Sequence, residues 1–77
     1  MPELVLYERK SCPFCQKVLQ FLEGKNIDVT LLDVTQDLDA KAALIRAGGT
    51  GQVPCLSIDG KLLYESDDII AYFEKLA

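Results

Sequence analysis

Apolar residues fall in short blocks whose spacing switches between the two periods of regular structure. Leu4-Val5-Leu6-Tyr7 is a continuous run, as expected of a strand buried on both faces. Phe14, Val18, Phe21 and Leu22 recur at i, i+4, i+7 and i+8, which predicts one helical face ending near Gly24. Pro13 suits the first turn of that helix, where its missing N–H costs nothing. Ile27, Val29 and Leu31 alternate with polar residues and predict a second strand. Leu38, Ala42 and Ile45 predict a second helix, with Thr35 or Asp37 as its cap and Gly48-Gly49 closing it. Pro54-Cys55-Leu56-Ser57-Ile58 and Lys61-Leu62-Leu63-Tyr64 flank Asp59-Gly60, the strongest short hairpin signal in the chain. Ser66, as a hydroxyl cap followed by Asp67 and Asp68, opens a last helix with Ile69, Ile70, Phe73 and Leu76 on one face.

The order is β-α-β-α-β-β-α, an α/β pattern without repeat, linker or low-complexity segment. Two β-α-β crossovers imply parallel pairing where they connect, and the hairpin adds an antiparallel strand, so the sheet is mixed. Seventy-seven residues make one domain, near the lower limit at which a single core suffices. With 49% hydrophobic and 26% charged residues, order is favoured over disorder. The net charge of −4 gives no reason to expect nucleic acid or an anionic membrane as partner. The chain has no histidine, which excludes histidine catalysis and histidine metal sites. Its N-terminal apolar run is too short for a signal peptide, and no stretch approaches the roughly 18 to 20 apolar residues of a membrane span. The expectation is a protein of the reducing cytoplasm.

Cysteine changes this picture most. There are three, and two of them lie in Cys12-Pro13-Phe14-Cys15. An odd number with this spacing is a poor framework for a secreted disulfide scaffold. Two thiols three positions apart at a helix start can close a disulfide across one turn. Cys12 falls where the free N–H groups of the first turn favour a thiolate, and Arg9 and Lys10 add positive charge nearby. These positions make Cys12 the candidate nucleophile and Cys15 the thiol that resolves a mixed disulfide on it. Metal ligation is the competing reading for the pair. Cys55 reads first as a small core residue and second as a redox-sensitive third thiol.

Cys12-Pro13-Phe14-Cys15 after the first strand, Val53-Pro54 before the third and Ser66-Asp67-Asp68 at the last helix together resemble the thioredoxin fold and, within it, a glutaredoxin. The resemblance spans nearly the whole chain. Phe14 stands where the family has tyrosine, and Gln52-Val53-Pro54 where it has Thr-Val-Pro. Glu65-Ser66-Asp67-Asp68 stands where many members have Gly-Cys-Asp-Asp. The Glu65-Ser66 pair is similar to that of glutathione transferase N-terminal domains.

The resemblance implies a four-stranded mixed sheet flanked by three helices, forming a single domain over 1–77. It implies an enzyme, a glutathione-dependent thiol–disulfide oxidoreductase acting on protein disulfides and glutathione mixed disulfides. Pro54 is expected to be cis and Val53 to pair through its backbone with the cysteinyl part of glutathione. Ser66 and Asp67 are expected at the γ-glutamyl end, with Glu65 sharing its ammonium. Lys10, ahead of Arg46, is the candidate for the glycine carboxylate, with Gln52 as a neutral donor and Phe14 packing against the tripeptide. No metal and no tightly bound cofactor is implied; glutathione is a co-substrate. The expected partners are glutathione and disulfide-bonded or glutathionylated proteins, met by a monomer. The alternatives are a thioredoxin-like electron donor, for example to ribonucleotide reductase, and a cysteine-based iron–sulfur or metal-binding module. A complete glutathione transferase is not expected, because 77 residues leave no room for its helical domain.

Overall fold

In a computed structural model describing residues 3–76, the central strand β1 (Leu4–Glu8) pairs on both edges. It runs parallel to β2 (Thr30–Asp33) and antiparallel to β3 (Cys55–Ile58), and β4 (Lys61–Tyr64) completes the order β2-β1-β3-β4. Three helices follow their strands: α1 (Pro13–Leu22), α2 (Leu38–Gly48) and α3 (Ser66–Leu76). This is the expected mixed sheet with three helices, a thioredoxin fold. Side-chain alternation divides the core in two. Leu4, Leu6 and Leu56 meet Val18 of α1 and Ile69 and Phe73 of α3. On the opposite face Val34, Leu44 and Cys55 pack with Tyr7, Leu62 and Tyr64.

β3 departs from the two-crossover expectation. It pairs with β1 rather than β2, and runs antiparallel, with Cys55 opposite Tyr7. Gly48, at the end of α2, already lies against Leu62 and Tyr64 of β4, and β3 starts beside the end of β1 from which Cys12 follows. β2 also differs: it starts at Thr30, and Ile27 and Val29 pack on the core from the approach to the strand. As the edge strand it leaves Leu31 exposed.

The face of α2 is not Leu38, Ala42 and Ile45. Leu38 is 73% exposed, Ala42 and Ile45 also face out, and Ala40 and Leu44 are buried instead. Closeness decides this face. Ala40, Leu44 and Gly48 form one i, i+4, i+8 row, and a Cβ on Gly48 would lie 2.0 Å from Tyr64 Oη and 2.9 Å from Leu62 Cδ1. Of the two candidate caps, Asp37 caps the helix, its side chain accepting from Ala40 N. Gly49, left-handed at φ 78°, ends it with its N–H on Ile45 O.

In α3 the cap is Glu65, whose carbonyl accepts from Ile69 N, so Ser66 is the first helical residue rather than the cap. Leu76, at the far end of that helix, is exposed. Asp59 and Gly60 both have positive φ, as a tight hairpin turn requires, and Asp59 exchanges hydrogen bonds with the Glu3 backbone. Among the described residues no helix is long and apolar enough to cross a membrane.

The close approach of α2 is testable. Gly48→Ala is expected to cost about 1 to 3 kcal/mol by overpacking, read as a lower urea midpoint. Adding Tyr64→Phe removes the nearest atom and should recover part of the loss. An unchanged midpoint in the single variant contradicts the packing described.

Candidate active site

Cys12 is the N-cap of α1, with extended backbone (φ −88°, ψ 119°). Its Sγ accepts the Cys15 N–H at 3.4 Å, and its own N–H is tied to Arg9 O at 3.0 Å. The sulfur thus takes the place of a capping oxygen, facing N–H groups that have no partner within the helix. Burial raises the Cys12 thiol. The backbone and side chain of Cys15, the Phe14 N–H and the charge of Arg9 outweigh that, and the net shift is downward. Cys15 lies one turn further in and is fully buried. Burial first, then the neighbouring Cys12 and the charge of Glu8, push its thiol up to about 12, although the Arg9 backbone opposes the rise. One motif therefore holds a ready nucleophile and a protected thiol.

A cleft of about 270 Å³ adjoins these turns, lined by Phe14, Gln52, Val53, Pro54, Glu65, Ser66, Asp67 and Lys17. The first seven come from three separate segments, and the sequence reading placed all of them at the ligand. The Val53–Pro54 bond is cis. Phe14 is 64% exposed, although its spacing put it on the buried helical face. Glu65, at φ 74°, turns the chain so that the first turn of α3 opens on the cleft with Ser66 buried.

Lys10, the eighth expected residue, is elsewhere. Its Nζ donates to both carboxylate oxygens of Glu8, at 2.9 and 2.8 Å, and lies 3.9 Å from Asp33. Those contacts, led by the hydrogen bonds to Glu8, raise its ammonium pKa. Arg46 sits in the last turn of α2 and Cys55 on the opposite face of the sheet. Burial raises the Cys55 thiol, and the Tyr64 hydroxyl approaches it without a well-formed hydrogen bond.

Two residues escaped the sequence reading. Glu8, at 1% exposure, is a buried carboxylate at the end of an apolar strand. Lys17 reaches from α1 to α3 and donates to Asp67 Oδ1 at 2.5 Å. Only its helical position, five residues after Cys12, hinted at the cleft. Among the described residues no group of three or more Cys, His, Asp or Glu side chains is arranged to hold a metal ion.

Residues 6–77 match the family described as "Glutathione S-transferase, N-terminal domain". The chain is similar to the glutaredoxin of Pseudomonas aeruginosa, 30% identical over 71 residues that make up 92% of this chain and 84% of the relative. An uncharacterised glutaredoxin-like 8.6 kDa protein in the rubredoxin operon of Clostridium pasteurianum is 29% identical over 58 residues, 75% of this chain and 77% of that one. Among solved structures, glutaredoxin 2 of Salmonella typhimurium in complex with glutathione superposes with a TM-score of 0.77 at 35% identity. That match covers 99% of this chain and 34% of the larger protein.

The inequality of the thiols gives a pH prediction. Alkylation of the reduced protein should occur at Cys12, with a midpoint below that of free cysteine, and Arg9→Gln should raise the midpoint. A lowered folded-state pKa also means that the Cys12 thiolate adds stability above the unfolded thiol value. That stability is lost as pH falls through the folded value. Peptide mapping that finds Cys15 modified ahead of Cys12 contradicts the assignment.

Proposed function

Because the chain belongs to the glutaredoxins of the thioredoxin-fold superfamily, we infer that it is a glutathione-dependent thiol–disulfide oxidoreductase. The observation that carries this reading is Cys12 Sγ capping α1 next to a cleft of backbone and charged groups suited to a short peptide. The glutathione complex of the Salmonella typhimurium glutaredoxin supports it by similarity.

In the proposed reaction the Cys12 thiolate attacks the glutathione sulfur of a mixed disulfide. The protein thiolate leaves and takes up a proton, and glutathione remains joined to Cys12. The thiolate of a second glutathione then attacks that sulfur, the Cys12–sulfur bond breaks, Cys12 leaves as thiolate and oxidised glutathione is released. With a protein disulfide, Cys12 first forms a mixed disulfide to the protein. Cys15 then loses its proton and displaces the protein thiolate, leaving the Cys12–Cys15 disulfide for glutathione to reopen. The high pKa of Cys15 slows the second route, because the thiolate is the attacking form. Val53, Ser66 and Asp67 would hold glutathione in the cleft, which does not need a tightly bound cofactor. The same reading assigns the protein to a reducing compartment such as the cytoplasm, acting as a monomer on glutathionylated or disulfide-bonded proteins.

Reduction of a small glutathione mixed disulfide tests it. Wild type should turn over with glutathione, Cys12→Ser should fall to background, and Cys15→Ser should keep mixed-disulfide reduction while losing reduction of protein disulfides. Turnover driven by a flavoprotein reductase and indifferent to glutathione would overturn this reading in favour of a thioredoxin-like donor.

A further inference from the structure

We propose that Glu8, a buried carboxylate behind the active-site turn, acts through Cys15 as an electrostatic brake on disulfide closure and so holds the site to its Cys12–glutathione route. The proposal rests on the thiol–disulfide reading above and adds what sets the balance between its two routes. Burial alternates along β1, so Glu8 shares a face with Leu4 and Leu6. Those leucines cluster with Val18 of α1, and Cys15 is the buried residue one turn before Val18. Glu8, at the end of the strand, therefore lies under the first turn of the helix. The backbone of the next residue, Arg9, meets the Cys15 sulfur.

Exposure decides the sign of the field at Cys15. The Glu8 side chain is 1% exposed and its charge is little screened, whereas its partner Lys10 is 65% exposed and largely screened by water. A net negative field remains, and it opposes a second negative charge on the Cys15 sulfur. Burial is the largest cause of the raised Cys15 thiol, and Cys12 and the Glu8 charge add to it. Lys10, raised first by its hydrogen bonds to Glu8, is also drawn to Cys15. Asp33 of β2 lies 3.9 Å from Lys10, and α3 faces this core with the apolar Ile69 and Phe73. Lys10 supplies the counter-charge that a buried carboxylate needs, so brake and partner form one unit. In the closing step Cys15 loses its proton to solvent and its thiolate attacks the Cys12 sulfur of the Cys12–glutathione disulfide. That disulfide breaks, the Cys12–Cys15 bond forms, and glutathione leaves as a thiolate that takes up a proton. Glu8 makes the first of these events costlier.

Two variants break the same ion pair with opposite electrostatic consequences. The reduced full chain is mixed at about pH 8, below the ordinary thiol value, with oxidised glutathione and, in parallel, with hydroxyethyl disulfide. Acid quenching and intact mass follow the Cys12 adduct as it converts to the Cys12–Cys15 disulfide. Glu8→Gln should speed this conversion about threefold, because a Cys15 pKa lower by about one unit gives about tenfold more thiolate and loses about threefold in nucleophilicity. Lys10→Gln leaves Glu8 without its counter-charge and should slow the conversion about threefold. A pair that only anchors the turn moves both variants the same way, and that result overturns the inference. Slower closure in Glu8→Gln also overturns it, by making the carboxylate the acceptor of the Cys15 proton, and so does an unchanged rate. Adducts from hydroxyethyl disulfide with none from oxidised glutathione sink the glutathione reading, and the closure rates still decide the brake.

Discussion

The hydrogen bond from the Cys15 N–H to Cys12 Sγ is the constraint around which the site is organised. It makes a sulfur the cap of α1, so the group that satisfies the helix end is also the candidate nucleophile. The surrounding features serve that placement. β1 ends just before it, the Arg9 carbonyl fixes the Cys12 N–H, and Pro13 starts the helix without a donor to satisfy. The antiparallel entry of β3 brings the Val53–Pro54 segment back to the same end of the sheet. A serine at position 12 keeps a capping acceptor, so its loss of chemistry can be separated from a loss of fold.

Three identical thiols acquire three characters from position alone. Cys12, buried at the helix end, accepts the Cys15 N–H, Cys15 is enclosed one turn deeper near a carboxylate, and Cys55 lies under α2 among apolar neighbours. The Glu8–Lys10 pair adds a second asymmetry. It places a buried negative charge behind Cys15 and withdraws a lysine that would otherwise be available to a ligand. Lys17 and Asp67 pair with each other at the cleft instead.

Features written in neighbouring residues were legible in the sequence: the Asp59-Gly60 turn, the α2 cap narrowed to Thr35 or Asp37, Pro13 at the head of α1 and the unequal cysteines. The seven cleft residues were legible by resemblance, because their motifs sit at family positions. What escaped depends on residues distant along the chain. The buried face of α2 follows from Gly48 fitting under Tyr64, which hydrophobic spacing does not encode. The direction of β3 follows from its pairing with β1, about fifty residues away, with Cys55 opposite Tyr7. The roles of Lys10 and Lys17 follow from Glu8 and Asp67, two and fifty residues away. A lysine in sequence is only a charge, and its partner decides whether a ligand can use it.

Amide chemical shifts of Cys15→Ser before and after oxidised glutathione is allowed to form its mixed disulfide test the central claim most directly. The account predicts one adduct, at Cys12, with shift changes concentrated at Phe14, Lys17, Gln52, Val53 and Glu65 to Asp67. An adduct at Cys55, or changes centred on α2 and the opposite face of the sheet, would contradict it.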